Sequence, residues 1–185
     1  MKNLKVRRLA LIGLMAALVF VGSMLSIPIP ISGIENTRLH LGNIFCLLSG
    51  MVLGGVAGGL SAGIGSCFFD LINPLYIMTA PFTFAFKFLM AFICGKIANS
   101  GGRKGDSSGM NAVGAIVGAI VYVLLYVSRG FLENVFFMRM EVDAALIILV
   151  QKGIVSLING SIAVLASVPL CRIVKGRLSK SSMLI

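Results

Sequence analysis

Residues 9–27 read LALIGLMAALVFVGSMLSI, an apolar stretch that contains no Asp, Glu, Lys or Arg. A bilayer core about 30 Å thick is crossed by roughly 20 apolar residues in a helix, so this run has the length and chemistry of a membrane span. Similar runs recur along the rest of the chain. Of its 185 residues 58% are hydrophobic and only 12% charged, with a mean hydropathy of +1.02, whereas an ordinary soluble domain is about a quarter charged. Such a composition leaves no room for a sizeable water-soluble domain. The expectation is an all-α integral membrane bundle of six transmembrane helices, a single transmembrane domain over residues 1–185.

The turn chemistry places these helices at 9–27, 39–54, 57–72, 80–98, 111–132 and 144–174. Pro28 and Pro30 end the first, Gly54 and Gly55 separate the second from the third, Asn73 and Pro74 end the third, and Gly101, Gly102 and Gly105 mark a loop. The basic run from Lys2 to Arg8 before an apolar stretch imitates a signal peptide. The stretch is long, lacks an A-x-A cleavage site and precedes further spans, so it is expected to be retained.

The formal charge of +10 would suggest nucleic acid as a partner for a soluble protein, but here the basic residues cluster at the ends of apolar runs and read as topology determinants. Eleven of the 16 fall on one side: Lys2, Lys5, Arg7 and Arg8, then Lys96, Arg103 and Lys104, then Arg172, Lys175, Arg177 and Lys180. Glu35, Asp70, Glu133, Glu141 and Asp143 fall at or near the other. Positive charge is retained on the cytoplasmic face, so both termini are expected there. The partners implied are the lipid bilayer and a small molecule, with no nucleic acid.

Several chemistries find no support. The glycine-rich segment from Gly54 to Gly65 lacks the G-x-G-x-x-G pattern, and no G-x-x-x-x-G-K-[ST] occurs. Its small residues read as surfaces for close helix contact. Cys46, Cys67, Cys94 and Cys171 lie in or beside apolar runs without a C-x-x-C pair and read as buried bystanders. No activated nucleophile and no metal-ligand spacing is apparent, so no catalytic residue, metal or cofactor is expected.

Ionisable groups inside a bilayer are costly and nominate a functional site. Lys87 lies about seven residues into the fourth helix, roughly 10 Å below its outer end, with Thr83 one turn above. Lys152 has a similar depth in the sixth, beside Gln151 and followed at i+4 and i+7 by Ser156 and Asn159. On the fifth helix Tyr122, Tyr126, Arg129 and Glu133 share one face. These stripes converge on the outer half of the bundle. The competing reading lets both lysines snorkel outward or pair with Asp70 or Glu133, and makes Tyr126 an interfacial anchor. Between the first two helices, Pro28 to Asn43 forms a stiffened external loop whose Arg38, His40 and Asn43 could serve a lid over a pocket.

These residues resemble the S components of energy-coupling factor (ECF) vitamin transporters, particularly the riboflavin and hydroxymethylpyrimidine group. The resemblance runs over most of the chain. It rests on the basic N-terminus leading to Ala10–Leu18, on Leu39-His40-Leu41-Gly42-Asn43, on Ser49–Gly59, on Gly63–Ser66 leading to Asp70, and on Ala80–Lys87. It implies a six-helix protein that captures a vitamin from outside with helices 4 to 6 and the first external loop. It also implies association with a transmembrane coupling protein and two cytoplasmic ATPases, and toppling within the membrane to release substrate inside. Gly13 and Ala17, one turn apart on the first helix, stand where that family uses small residues against its partner. The chain departs from the pattern at Asn43, where an acid is more usual, and at Gly13, where alanine is. Substrate identity stays open: two deep lysines would suit a carboxylate, a phosphate or a polarised carbonyl, and a neutral vitamin hydrogen-bonded to them is equally admissible. A membrane assembly subunit without a ligand, or a membrane enzyme, is a different class of reading that saturable ligand binding or independent turnover would separate.

Overall fold

A computed structural model describes residues 2–31 and 35–180. The tip of the first loop, Ser32, Gly33 and Ile34, lies outside the described residues, as do the side chains of residues 2–4, 31, 35, 36 and 178–180, Lys2, Glu35 and Lys180 among them. The described chain forms α1 (Lys2–Met24), strands β1 (Ser26–Ile31) and β2 (Glu35–His40), and then α2 (Gly42–Leu53), α3 (Gly55–Ile72), α4 (Ala80–Ala98), α5 (Ser108–Leu132) and α6 (Val142–Lys180). A 3-10 turn at Ile77–Thr79 leads into α4, and a π turn at Glu133–Phe137 prolongs α5. Five helices are long and apolar enough to cross a membrane; α2 is a shorter apolar one. At about 1.5 Å per residue its 12 residues reach only roughly 18 Å. The chain is thus an α-helical membrane bundle.

The loop after α1 corrects the sequence reading. Helix 1 stops at Met24 rather than 27, and residues 39 and 40 belong to a strand rather than to the second helix. The two strands pair antiparallel, Ser26 opposite His40 and Pro30 opposite Asn36. Successive backbone N–H groups of a strand point to opposite edges, so Pro28 and Pro30, two apart, leave their missing donors on one edge. That edge must be the unpaired one, where proline breaks no ladder bond and blunts the strand against further pairing. The expected stiff loop is therefore a β-hairpin, the one departure from an all-helical fold among the described residues.

Side-chain volume explains how the helices pack. At Gly54 φ is +80°, a backbone state that residues with a Cβ rarely adopt, and α2 turns into α3 there with no intervening loop. Gly55, Gly59 and Gly63 then follow at one-turn spacing along α3, and a Cβ on each would come within 2.9–3.3 Å of Phe92, Phe88 and Phe84 of α4 respectively. The three rings form a column, with centroids 6.3 and 5.7 Å apart. Gly50 lies against the Ala91 carbonyl and Gly65 against that of Ala16. Backbones approach this closely only where side chains are missing, so the glycine-rich run is a packing surface, as its composition predicts. Cys46, Cys94 and Cys171 are free and buried in the core with Val19, Leu47, Met51 and Met90; Cys67 is free and half-buried.

The end of the bundle away from the hairpin is fastened by polar contacts. Lys175 of α6 pairs with Asp106 at 2.9 Å. Asn111 donates to the Gly105 carbonyl at 2.7 Å, and Asn99 reaches the C-terminal carbonyls of α2.

Candidate functional site

Beneath the hairpin, between α3, α4, α5 and α6, lies a cavity of about 290 Å³. The helical stripes meet in it. Thr83 and Lys87 face it from α4, Tyr122, Tyr126 and Arg129 from α5, and Lys152, Ser156 and Asn159 from α6, while Arg38 and His40 close it from β2. Each group arrives because residues one turn apart share a helical face, and short connections hold α4, α5 and α6 side by side.

Lys87 is buried to 2% exposure. Its Nζ donates to Asn43 Oδ1 at the start of α2 and sits 3.6 Å from the centroid of the Tyr122 ring. The ammonium therefore points into the bundle and does not snorkel. Tyr122 and Tyr126 stack with centroids 5.9 Å apart and planes at 18°, giving the cavity a flat aromatic wall. Tyr126 is thus a cavity residue rather than an interfacial anchor, and its hydroxyl meets the Thr37 hydroxyl at 3.3 Å. Lys152 Nζ is 5.8 Å from the Tyr126 ring.

The hairpin is tied down on three sides. Arg38 Nη2 donates to Asp70 Oδ1 at 3.1 Å, and its guanidinium lies between the rings of Phe69 at 4.0 Å and Tyr76 at 4.4 Å. Asn159 Nδ2 makes a long, 3.5 Å hydrogen bond to the Arg38 carbonyl, and Thr37 reaches Tyr126 on α5. His40 is buried, and desolvation, reinforced by the Lys87 and Arg38 charges, holds its imidazole well below the usual histidine range. It is neutral at physiological pH.

These contacts bear on the competing reading of Lys87 as an ion-pair partner. Asp70 is taken by Arg38, and Glu133 by Arg129 at 2.9 Å; neither pairs with Lys87. Two sequence candidates stand outside the cavity lining. Asn43 lies behind Lys87 and Gln151 is half-buried beside Lys152. Sequence reasoning missed Ser23, Tyr76, Thr79, Phe82 and Phe86, all of which face the cavity. Phe82 and Phe86 follow from the period of α4, because they share the face of Thr83 and Lys87. Tyr76 and Thr79 come from the connection before α4, where no helical period exists to place them.

On α1, Gly13 and Ala17 are exposed on the face opposite Met15, Ala16 and Val19, and a Cβ at Gly13 would meet nothing within 4 Å. That face is open to a neighbour.

The arrangement is suited to binding: an aromatic wall, buried cations, a few oriented polar groups and a roof. No curated protein matches the chain. Residues 3–176 match the family described as ECF-type riboflavin transporter, S component. With that match over nearly the whole membrane bundle, the chain belongs to this family of multi-pass membrane proteins and is a substrate-binding subunit of an ECF transporter for vitamin uptake.

Proposed function

We propose that the cavity beneath the hairpin captures a vitamin or vitamin precursor with high affinity from outside the cell, and that the chain delivers it inward without covalent chemistry. The observation that carries this reading is the buried meeting of Lys87, the Tyr122–Tyr126 stack and Lys152 under a roof held by Arg38. In this reading α2 completes a set of six membrane helices, both termini are cytoplasmic, and the hairpin end faces outward. A transmembrane coupling protein and two ATPase subunits supply the energy, since the chain itself has no nucleotide-binding loop motif. Gly13 and Ala17 offer the small-residue face on which the coupling helix would pack. Lys87, Lys152, Tyr122, Tyr126, Arg129, Thr83, Arg38, His40 and Asn159 contact or enclose the ligand, with Asn43 and Gln151 behind them. Riboflavin, named by the family, is the first ligand to test.

Mass spectrometry of the molecule that co-purifies with the chain, followed by calorimetric titration of that molecule into emptied protein, tests the reading. Saturable binding of about one ligand per chain, in the micromolar range or tighter, is the expected result. A chain that neither retains nor binds any small molecule would be an assembly subunit instead.

A further inference from the structure

On the outside of the bundle, between α5 and α6, runs a groove of about 360 Å³ in which Ser161 supplies the one polar side chain. Its floor is made of small residues: Ala119 and Gly160 are buried, and a Cβ added to Gly160 would meet only that of Ala119, at 3.6 Å. Its walls are Ile116 and Ile120 of α5 and Leu157 and Leu165 of α6, all exposed. A second helix packs closely where small residues let the backbones approach. Four bulky walls hold a helix backbone off, whereas the space between them admits an unbranched chain.

The groove leads to a cation. Leu157, Leu165 and Arg172 share one face of α6 at i, i+8 and i+15, which sets Arg172 roughly 10 Å beyond Leu165. That is the level of the first turn of α5, where Asn111 reaches the neighbouring Cys171 at 3.6 Å. Arg172 is exposed. Lys175, on the same face, is taken by Asp106, the one acidic side chain of the sequence at this end of the bundle. An apolar slot that ends at an exposed guanidinium has the layout of a phospholipid, with the chain in the slot and the phosphate on the arginine.

We propose that the α5–α6 groove binds one acyl chain of an anionic phospholipid whose phosphate is held by Arg172. In the orientation proposed above, that lipid belongs to the cytoplasmic leaflet. The surrounding hydrocarbon is as apolar as the groove, so the chain's fit positions the lipid while the head supplies the preference. The site is separate from the capture cavity, and the two meet on α6, where Asn159 faces the cavity and Gly160 the groove.

The test uses the full chain, purified and delipidated in detergent, and native mass spectrometry with phosphatidylglycerol and phosphatidylcholine of identical acyl chains. Wild type is expected to hold about one phosphatidylglycerol per chain at least about fivefold more tightly than phosphatidylcholine, the effect of one basic side chain near a membrane surface. Arg172→Gln, which removes the charge, and Gly160→Leu, which fills the floor of the groove, should each bring the two lipids within about twofold. A phosphatidylglycerol with a photoactivatable group in its chain should label residues 116–123 and 157–165, which keeps the test open if Gly160→Leu fails to fold. Equal affinity for the two lipids in wild type, a full preference in folded Gly160→Leu, or label spread evenly around the bundle would overturn the proposal. So would a dimer, or a complex with the coupling subunit, that Gly160→Leu dissolves, since the groove would then seat a helix.

Discussion

Arg38 of β2 and Asp70 near the end of α3 meet at 3.1 Å, and the Arg38 guanidinium lies over the rings of both Phe69 and Tyr76. One hairpin side chain is thereby fastened both by charge and by aromatic rings. Asp70 is 2% exposed, so removing Arg38 leaves a buried carboxylate unpaired, at a cost of about 3–5 kcal/mol for a fully buried pair. Arg38→Gln should therefore lower thermal stability more than the double substitution Arg38→Gln/Asp70→Asn, which removes both charges. Ligand should also leave the single variant at least about tenfold faster. Stopped-flow release and melting curves read both effects, and wild-type release from Arg38→Gln would mean that the pair does not hold the roof.

Lys87→Met nearly conserves length while deleting the charge and its donors. Affinity for the co-purified ligand should fall at least about tenfold, or about 1.4 kcal/mol, with the protein still folded. Asn159→Leu should act in the same direction through the roof, since its partner is the Arg38 carbonyl, and less strongly because that bond is long. Arg129→Gln, half-buried and already paired with Glu133, should do least, and chiefly slow association if the ligand is anionic. Calorimetry ranks the three; full affinity in Lys87→Met would remove Lys87 from the site.

Gly13→Leu or Ala17→Leu adds bulk to an exposed face of α1. Transport or complex assembly should be lost while ligand affinity of the isolated chain stays within about twofold of wild type. Loss of affinity in step with transport would place this face in the pocket's support instead.

His40 gives the closed site a pH dependence whose sign follows from its depressed pKa. Above the ordinary histidine value of 6.5 the imidazole is neutral in folded and unfolded chains alike. As pH falls below 6.5 the unfolded chain takes up a proton that the buried ring, facing Lys87 and Arg38, resists, so the stabilisation present above that value is progressively lost. The melting temperature should drop between pH 7 and pH 5, and His40→Gln should flatten that drop. An equal drop in the variant would assign the effect to other groups.

Orientation is checked by cysteine labelling in a cysteine-free background. Residues placed near Asp106 should be reached only from the cytoplasm, and those near Val142 only from outside. Labelling of the Asp106 region by an impermeant reagent added outside would invert the topology.

Helix α4 was legible in the sequence because its apolar period, the Pro81 in its first turn and the polar break after Ala98 all agree. The cavity was legible to the same depth, since Thr83 and Lys87, or Tyr122, Tyr126 and Arg129, can share a face only if the chain is helical there. The hairpin was not. Ile27, Ile29 and Ile31 alternate with polar or proline residues as a strand does, but the prolines read more strongly as a helix stop, and strand pairing depends on a partner beyond the loop tip. The ion pairs were left open for a related reason: which cation takes Asp70 is decided by where the hairpin lies, and nothing in the α3 sequence records that Arg38 arrives before Lys87.

The column of Phe84, Phe88 and Phe92 seated over Gly63, Gly59 and Gly55 works like teeth in a rack. Sliding α3 along α4 by less than a whole helical turn, about 5.4 Å, would drive three rings into backbone at once, so the two helices are indexed to each other and travel as a single piece. Gly114 and Gly118 seat α5 just as closely on the Cys94 and Met90 carbonyls of α4, so any widening of the cavity to admit or release its contents must come from the hairpin and from α6. The glycines thus make one stiff body of α3, α4 and α5, and the cavity lies where that body meets the hairpin and α6.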